Sequence, residues 1–78
     1  MTDDERAILV FEEQRPSNDR SKEAAVREVF GVSWVRYQQR LLGMVAREDV
    51  LAEFAPVAHR VQRVTAARMA ARAARRFA

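Results

Sequence analysis

Hydrophobic residues recur along the chain at helical spacing, and no alternating strand pattern interrupts them. Ala7, Ile8 and Phe11 mark the inner face of a first helix predicted over residues 3–14. Its start is written in Thr2-Asp3-Asp4-Glu5: Thr2 caps, Glu5 reaches back, and the acids complement the positive end of the helix dipole. The stretch RPSNDRS then breaks the pattern. Pro16 biases Arg15 away from helix, and Ser17, Asn18, Asp19 and Ser21 form turns and caps. A second helix, residues 20–30, carries one apolar stripe of Ala25, Val26, Val29 and Phe30.

The next corner is Gly31-Val32-Ser33. Glycine fits the left-handed position after a helix, the valine can plug the corner, and serine caps the following helix. That third helix is predicted over residues 34–46. Stepping around it places Trp34, Tyr37, Leu41, Met44 and Val45 inward. Arg36, Gln39, Arg40 and Gly43 fall opposite, with Val35 and Gln38 on the flanks. REDVLAEF reads as a connector or half-helix, and Pro56 suits the first turn of a last helix over residues 56–77. In that helix Val57, Val61 and Val64 form an inner stripe whose continuation is Arg68, Arg72 and Arg75. The second half therefore cannot pack with the face used by the first. Its other side holds Ala66, Met69, Ala70, Ala73 and Phe77, a small-residue face able to meet another helix. The expected architecture is a single all-α domain of four helices over residues 1–78.

Composition narrows the function. Seventy-eight residues bury only a thin core. There is no cysteine, so disulfides, thiol nucleophiles and Cys-based zinc sites are excluded, and His59 alone cannot build a metal site. No cofactor is expected. No apolar run approaches the roughly 18 residues of a membrane span, and the acidic N-terminus argues against a signal peptide. The expected location is the cytoplasm, with no membrane partner. The net charge of +3 is unevenly placed. Residues 1–55 hold eight basic and eleven acidic side chains. Residues 56–78 hold six arginines, Arg60, Arg63, Arg68, Arg72, Arg75 and Arg76, and no acid. Such a basic segment beside a near-neutral body suits a polyanion, although a solvated charge run looks the same.

Enzymatic readings find no support. Glu12-Glu13 and Glu48-Asp49 are adjacent pairs expected on surfaces, whereas general acid–base work needs a shifted group in a cleft. Neither Ser17 nor Ser33 has a base nearby. The Gly31 corner is more informative. Two short helices joined through glycine, the second rich in polar side chains, describe a helix-turn-helix DNA reader and also an ordinary helical corner. RYQQR supplies arginines and glutamines, which bond guanine and adenine edges in bidentate fashion.

KEAAVREVFGVSWVRYQQRLLGMV, preceded by TDDERAILVFE, resembles a family of short actinobacterial and actinobacteriophage proteins of uncharacterised function. The matching residues are Lys22, Glu23, Arg27, Glu28, Phe30, Gly31, Ser33, Arg36, Tyr37 and Gln39. Proteins of that type are usually labelled helix-turn-helix DNA-binding, with weak likeness to the promoter-reading domain of sigma factors. Two positions depart from the usual motif: Arg27 stands where a small residue is common, and Arg40 where an apolar one is. The usual register makes Trp34, Val35, Gln38 and Gln39 groove residues, whereas the helical wheel favours Arg36, Gln39 and Arg40. Only Gln39 satisfies both.

The expected function is thus binding of double-stranded DNA by a small transcriptional or phage-encoded regulator, not an enzyme. Ser33, Val35, Arg36, Gln38, Gln39 and Arg40 would face the major groove. Arg60, Arg63, Arg68, Arg72, Arg75 and Arg76 would hold the backbone. A homodimer would suit a palindromic site. The competing expectation is a module that binds a host protein, such as a transcription component, through the third helix and the small-residue face.

Overall fold

Capping chemistry sets the helix starts. A computed structural model describes residues 1–77 and contains four helices. α1 spans Asp3–Gln14, α2 Arg20–Phe30, α3 Trp34–Met44 and α4 Glu48–Phe77. Among the described residues there is no strand. Thr2 and Glu5 form a reciprocal capping box on α1. The Asp19 carboxylate accepts from the Lys22 amide at 2.8 Å, and the Ser33 hydroxyl from the Arg36 amide at 3.2 Å. Each satisfies an N–H that would otherwise lack a partner. Gly31 takes φ 66° and ψ 22°, and its N–H donates to Arg27 O, ending α2. The side chain of Phe77 lies outside the described residues, so its part in the predicted small-residue face does too.

Two boundaries differ from the sequence expectation. α3 stops at Met44 rather than residue 46, because the chain tightens there and Arg47 N–H donates to Met44 O. The segment read as a connector or half-helix is helical from Glu48 and merges into the last helix. Phe54, at φ −126° and ψ 38°, marks a kink between limbs 48–53 and 55–77. Pro56 is the cause: its ring clashes with the preceding turn and it has no N–H to donate.

The inner faces meet in one core. Ile8, Leu9 and Phe11 of α1 pack with Val26 of α2, Tyr37, Leu41 and Met44 of α3, and Val50, Phe54, Val57, Ala58 and Val61 of α4. Ala7, expected inside, is exposed, and Leu9 is the buried residue there. Val29 is exposed as well. Tyr37 stacks on Phe30 and Trp34, with centroids 5.7 and 5.9 Å apart, and meets Phe11 edge-on at 5.8 Å. Such pairs add to the effect of area buried. Arg27 and Arg40, the two departures from the usual motif, are both exposed.

Glu12 was expected on the surface with Glu13, yet it is 2% exposed. Its carboxylate accepts from the Tyr37 hydroxyl at 2.5 Å and pairs with Lys22 Nζ at 2.7 Å. Arg60 lies 3.7 Å from the other carboxylate oxygen and donates to the Glu12 carbonyl at 2.8 Å. Lys22 is itself 1% exposed and also donates to Asn18 Oδ1. All four helices meet at this carboxylate. Burial and the hydrogen bond to Glu12 push the Tyr37 phenol far above its ordinary range. A second cluster closes the α3–α4 turn on α1: Arg47 bridges Asp49 and Glu5. The Arg47 guanidinium holds Asp49 down to about 2.

Lys22→Met strands the buried carboxylate and is expected to lower stability by about 3–5 kcal/mol in urea unfolding. Adding Glu12→Gln should recover much of that loss; additive losses would contradict the pairing. Gly31→Val should cost more than about 1 kcal/mol, because a branched side chain disfavours positive φ. No neighbour lies within 4 Å of a Cβ there, so the penalty is purely conformational. An unchanged melting temperature would remove the left-handed corner.

Candidate functional site

The residues singled out in the sequence fall into three groups. The first lies on the outer face of α3. Val35 is 64% exposed, and Arg36, Gln39, Leu42 and Gly43 are exposed beside it. Ser33 is spent on capping. Arg40 is exposed but borders a crevice with Asp4, Ala7 and Phe30, which turns it toward α1 and α2. The outer face is therefore less polar than the sequence suggested, with Arg36 and Gln39 set between Val35 and Leu42.

Gln38 and Arg60 form the second group, and both turn inward. Gln38 is half-buried, and its Nε2 is buried with no hydrogen-bond partner. Arg60 is engaged with Glu12 and has a side chain 25% exposed. Together with Asn18, Thr65 and Arg68 they line a notch between the α1–α2 loop, α3 and α4. Asn18 was read only as a turn former, and Thr65 did not stand out in the sequence. Only packing brings them together, across 47 positions of chain.

The third group is the end of α4. Beyond Val61 the helix loses contact with the core: Val64 is 39% exposed and every residue from Ala66 to Arg76 is exposed. The longest dimension of the molecule is 44 Å, and the limb of α4 beyond the kink, residues 55–77, is about 35 Å long at 1.5 Å per residue. Arg68, Arg72, Arg75 and Arg76 share an arc of about 100° on this helix. Arg63 is exposed on a different side. The arginine row continues the line of Val57 and Val61, so it overhangs the body on the side where the core lies. Among the described residues no ion pair involves Arg36, Arg40, Arg63, Arg68, Arg72, Arg75 or Arg76. Met69, 66% exposed, borders the same row.

No group of three or more metal-ligating side chains occurs among the described residues. No described helix is long and apolar enough to cross a membrane.

A family model described as a protein of unknown function, DUF3263, matches residues 1–73. The chain belongs to the DUF3263 family. The match takes in the caps, the Glu12 cluster and α4 as far as Ala73, so the arginine row lies partly within the family's extent. No curated protein and no solved structure matches the chain.

Gly43 lies in the last turn of α3 on its outer face, and a Cβ there would meet nothing within 4 Å. Nothing in the fold requires it. Gly43→Ala should therefore stabilise the free protein by about 0.5–1 kcal/mol through helix propensity alone. A destabilised variant in thermal melts would show that the fold needs the glycine after all.

Proposed function

We propose that this chain binds double-stranded DNA, with α3 entering the major groove and the α4 arginines following the phosphate backbone, as a small regulator of transcription. The observation that carries this reading is the α4 projection. It places four arginines on one face of an exposed helix, with no acid after Glu53 to neutralise them. The like charges of this extension repel at i, i+4 spacing. A polyanion relieves that repulsion. The α3 face adds base-reading groups: Arg36 and Gln39 for purine edges, and Val35 for a thymine methyl. Gly43 lets a surface approach the helix closely. The resemblance to proteins labelled helix-turn-helix agrees with this reading. Two-fold symmetric sites would call for a homodimer, since one small head makes few base contacts.

A specific observation also favours a protein partner. Ala7, Val10, Phe11, Val29 and Phe30 line an open groove rimmed by Asp3, Arg6 and Arg15. Val29 there is 63% exposed. A host protein such as a transcription component could seat an apolar side chain in it.

Mobility-shift titrations at several salt concentrations separate the two. DNA affinity should fall steeply with salt, and deleting residues 67–78 should flatten the slope by roughly one unit per phosphate-bound arginine. The deletion should weaken all sequences alike and leave the fold intact. Gln39→Ala should cost about 1–3 kcal/mol on a preferred site and little on random DNA. A DNA shift that does not weaken with salt would remove the phosphate-driven part of this reading. No shift on any duplex at low salt would reject the DNA reading.

A further inference from the structure

We propose that the groove between α1 and the end of α2 is the contact surface for a second copy of this chain, docked with its α1 antiparallel to the first. Ala7, Val10, Phe11, Val29 and Phe30 line this groove, and both valines are exposed in it. Single exposed apolar side chains are ordinary on a protein surface, whereas several meeting in one concavity mark a contact site. Elsewhere the exposed apolar side chains stand next to charges, Val35 beside Arg36 and Met69 beside Arg68. Only this groove gathers them on two helices at once.

The charges on its rim choose the partner. Asp3 stands at the start of α1 and Arg15 caps its end, about 18 Å away at 1.5 Å per residue. Both are exposed, and among the described residues neither belongs to an ion pair. Arg6, the third charge on the rim, is already held by Glu53. The Arg15 guanidinium lies over the Phe11 ring, 5.9 Å from its centroid, which keeps it at the edge of the groove. An acidic partner would meet Asp3 as a like charge, and a basic partner would meet Arg15 in the same way. A copy of the chain turned end for end satisfies both, because Asp3 of each copy faces Arg15 of the other.

The spacing along α1 suits that arrangement. Asp3, Ala7, Val10 and Gln14 recur at i, i+4, i+7 and i+11, one line along the helix. A two-fold axis passing between Ala7 and Val10 sets the small side chain of one copy against the larger one of the other. The same axis brings Asp3 opposite Gln14 and within reach of the long Arg15 side chain. A surface that is apolar in the middle and opposite in sign at its two ends is self-complementary, as a two-fold contact requires. One helix face and one helical turn make a small interface, so the dimer is weak and its population follows protein concentration.

The use of this dimer rests on the DNA reading above, since two copies give two reading heads for a two-fold symmetric site. The groove shares no residue with the exposed face of α3 or with the arginine row of α4. Dimerisation therefore leaves both free. The contact itself stands or falls without DNA.

The test is sedimentation equilibrium of the full chain without DNA, from micromolar to millimolar concentration at low salt. The mass is expected to rise with concentration from the 9.0 kDa of one chain toward that of two. Val29→Asp, checked for unchanged helicity, should hold the chain at the monomer mass, because a short charged side chain cannot leave the closed groove. Asp3→Arg and Arg15→Asp should each weaken the dimer about tenfold or more, since each turns both rim pairs from attraction to repulsion. An equal mixture of these two variants should restore it, because every rim pair is then opposite in sign again. A chain that stays monomeric throughout overturns the proposal and leaves the groove to another protein. A dimer untouched by Val29→Asp, or single variants that the mixture does not rescue, overturns this interface. A dimer with these responses that binds no duplex keeps the contact and removes only its use on DNA.

Discussion

Glu12 carries its charge into the middle of the bundle, and the other three helices are arranged around what that charge requires. An ionised carboxylate out of water is tolerated only when opposite charge and hydrogen bonds replace its hydration. Lys22 supplies a cation from α2, Tyr37 a hydroxyl from α3 and Arg60 a guanidinium from α4. Each partner must arrive in one register along its helix, so the cluster specifies alignment that an apolar core alone would leave loose. The aromatic stack around Tyr37 shields the cluster, and the Ala58 and Val61 turns seat Arg60. The core of a chain this short is thus partly ionic.

Much of the local structure was legible because it is local. Thr2 with Glu5, Asp19, Gly31 and Ser33 act within three or four residues of themselves, and the structure shows each at a helix end. Of the inward set read from period alone, Tyr37, Leu41, Met44 and Val45 are buried and Trp34 is partly buried against the core. What escaped was set by distant partners. Glu12 and Glu13 look identical as a pair, and only residues up to 48 positions away decide that the first is buried. Pro56 marked a real break, but the helix before it was underread, because the Asp49 and Arg47 contacts that support its first turn span the α3–α4 turn and α1. The direction of Gln38 was equally invisible, since it depends on where α4 passes. The tail was legible in both charge and exposure, because a stripe that turns from valine to arginine has no core to meet.

The division of charge carries through the proposed function. Acidic side chains serve the body: Glu5, Asp49, Glu53 and Glu12 are all spent on internal ion pairs. The arginines beyond Arg60 have no such employment, and the projection holds Arg72, Arg75 and Arg76 away from those acids. A uniform scattering of the same residues would leave the net charge unchanged while cancelling the local field. Segregation gives a ligand-facing potential to a molecule with a net charge of only +3.

The Glu12 cluster also bears on how the chain reaches its fold. Its members are separated by 25 residues to Tyr37 and 48 to Arg60, so no fragment that lacks α4 contains the complete set. Until α4 docks, the carboxylate is better off hydrated, and the first three helices have reason to stay loosely associated. Closing the full cluster therefore requires α4 to be docked, and it adds a fixed register to the hydrophobic contact. Folding and unfolding should then be all-or-none, with α1 and the distant α4 gaining protection together. During synthesis the last member of the cluster, Arg60, becomes available only when α4 has been made, after Lys22 and Tyr37.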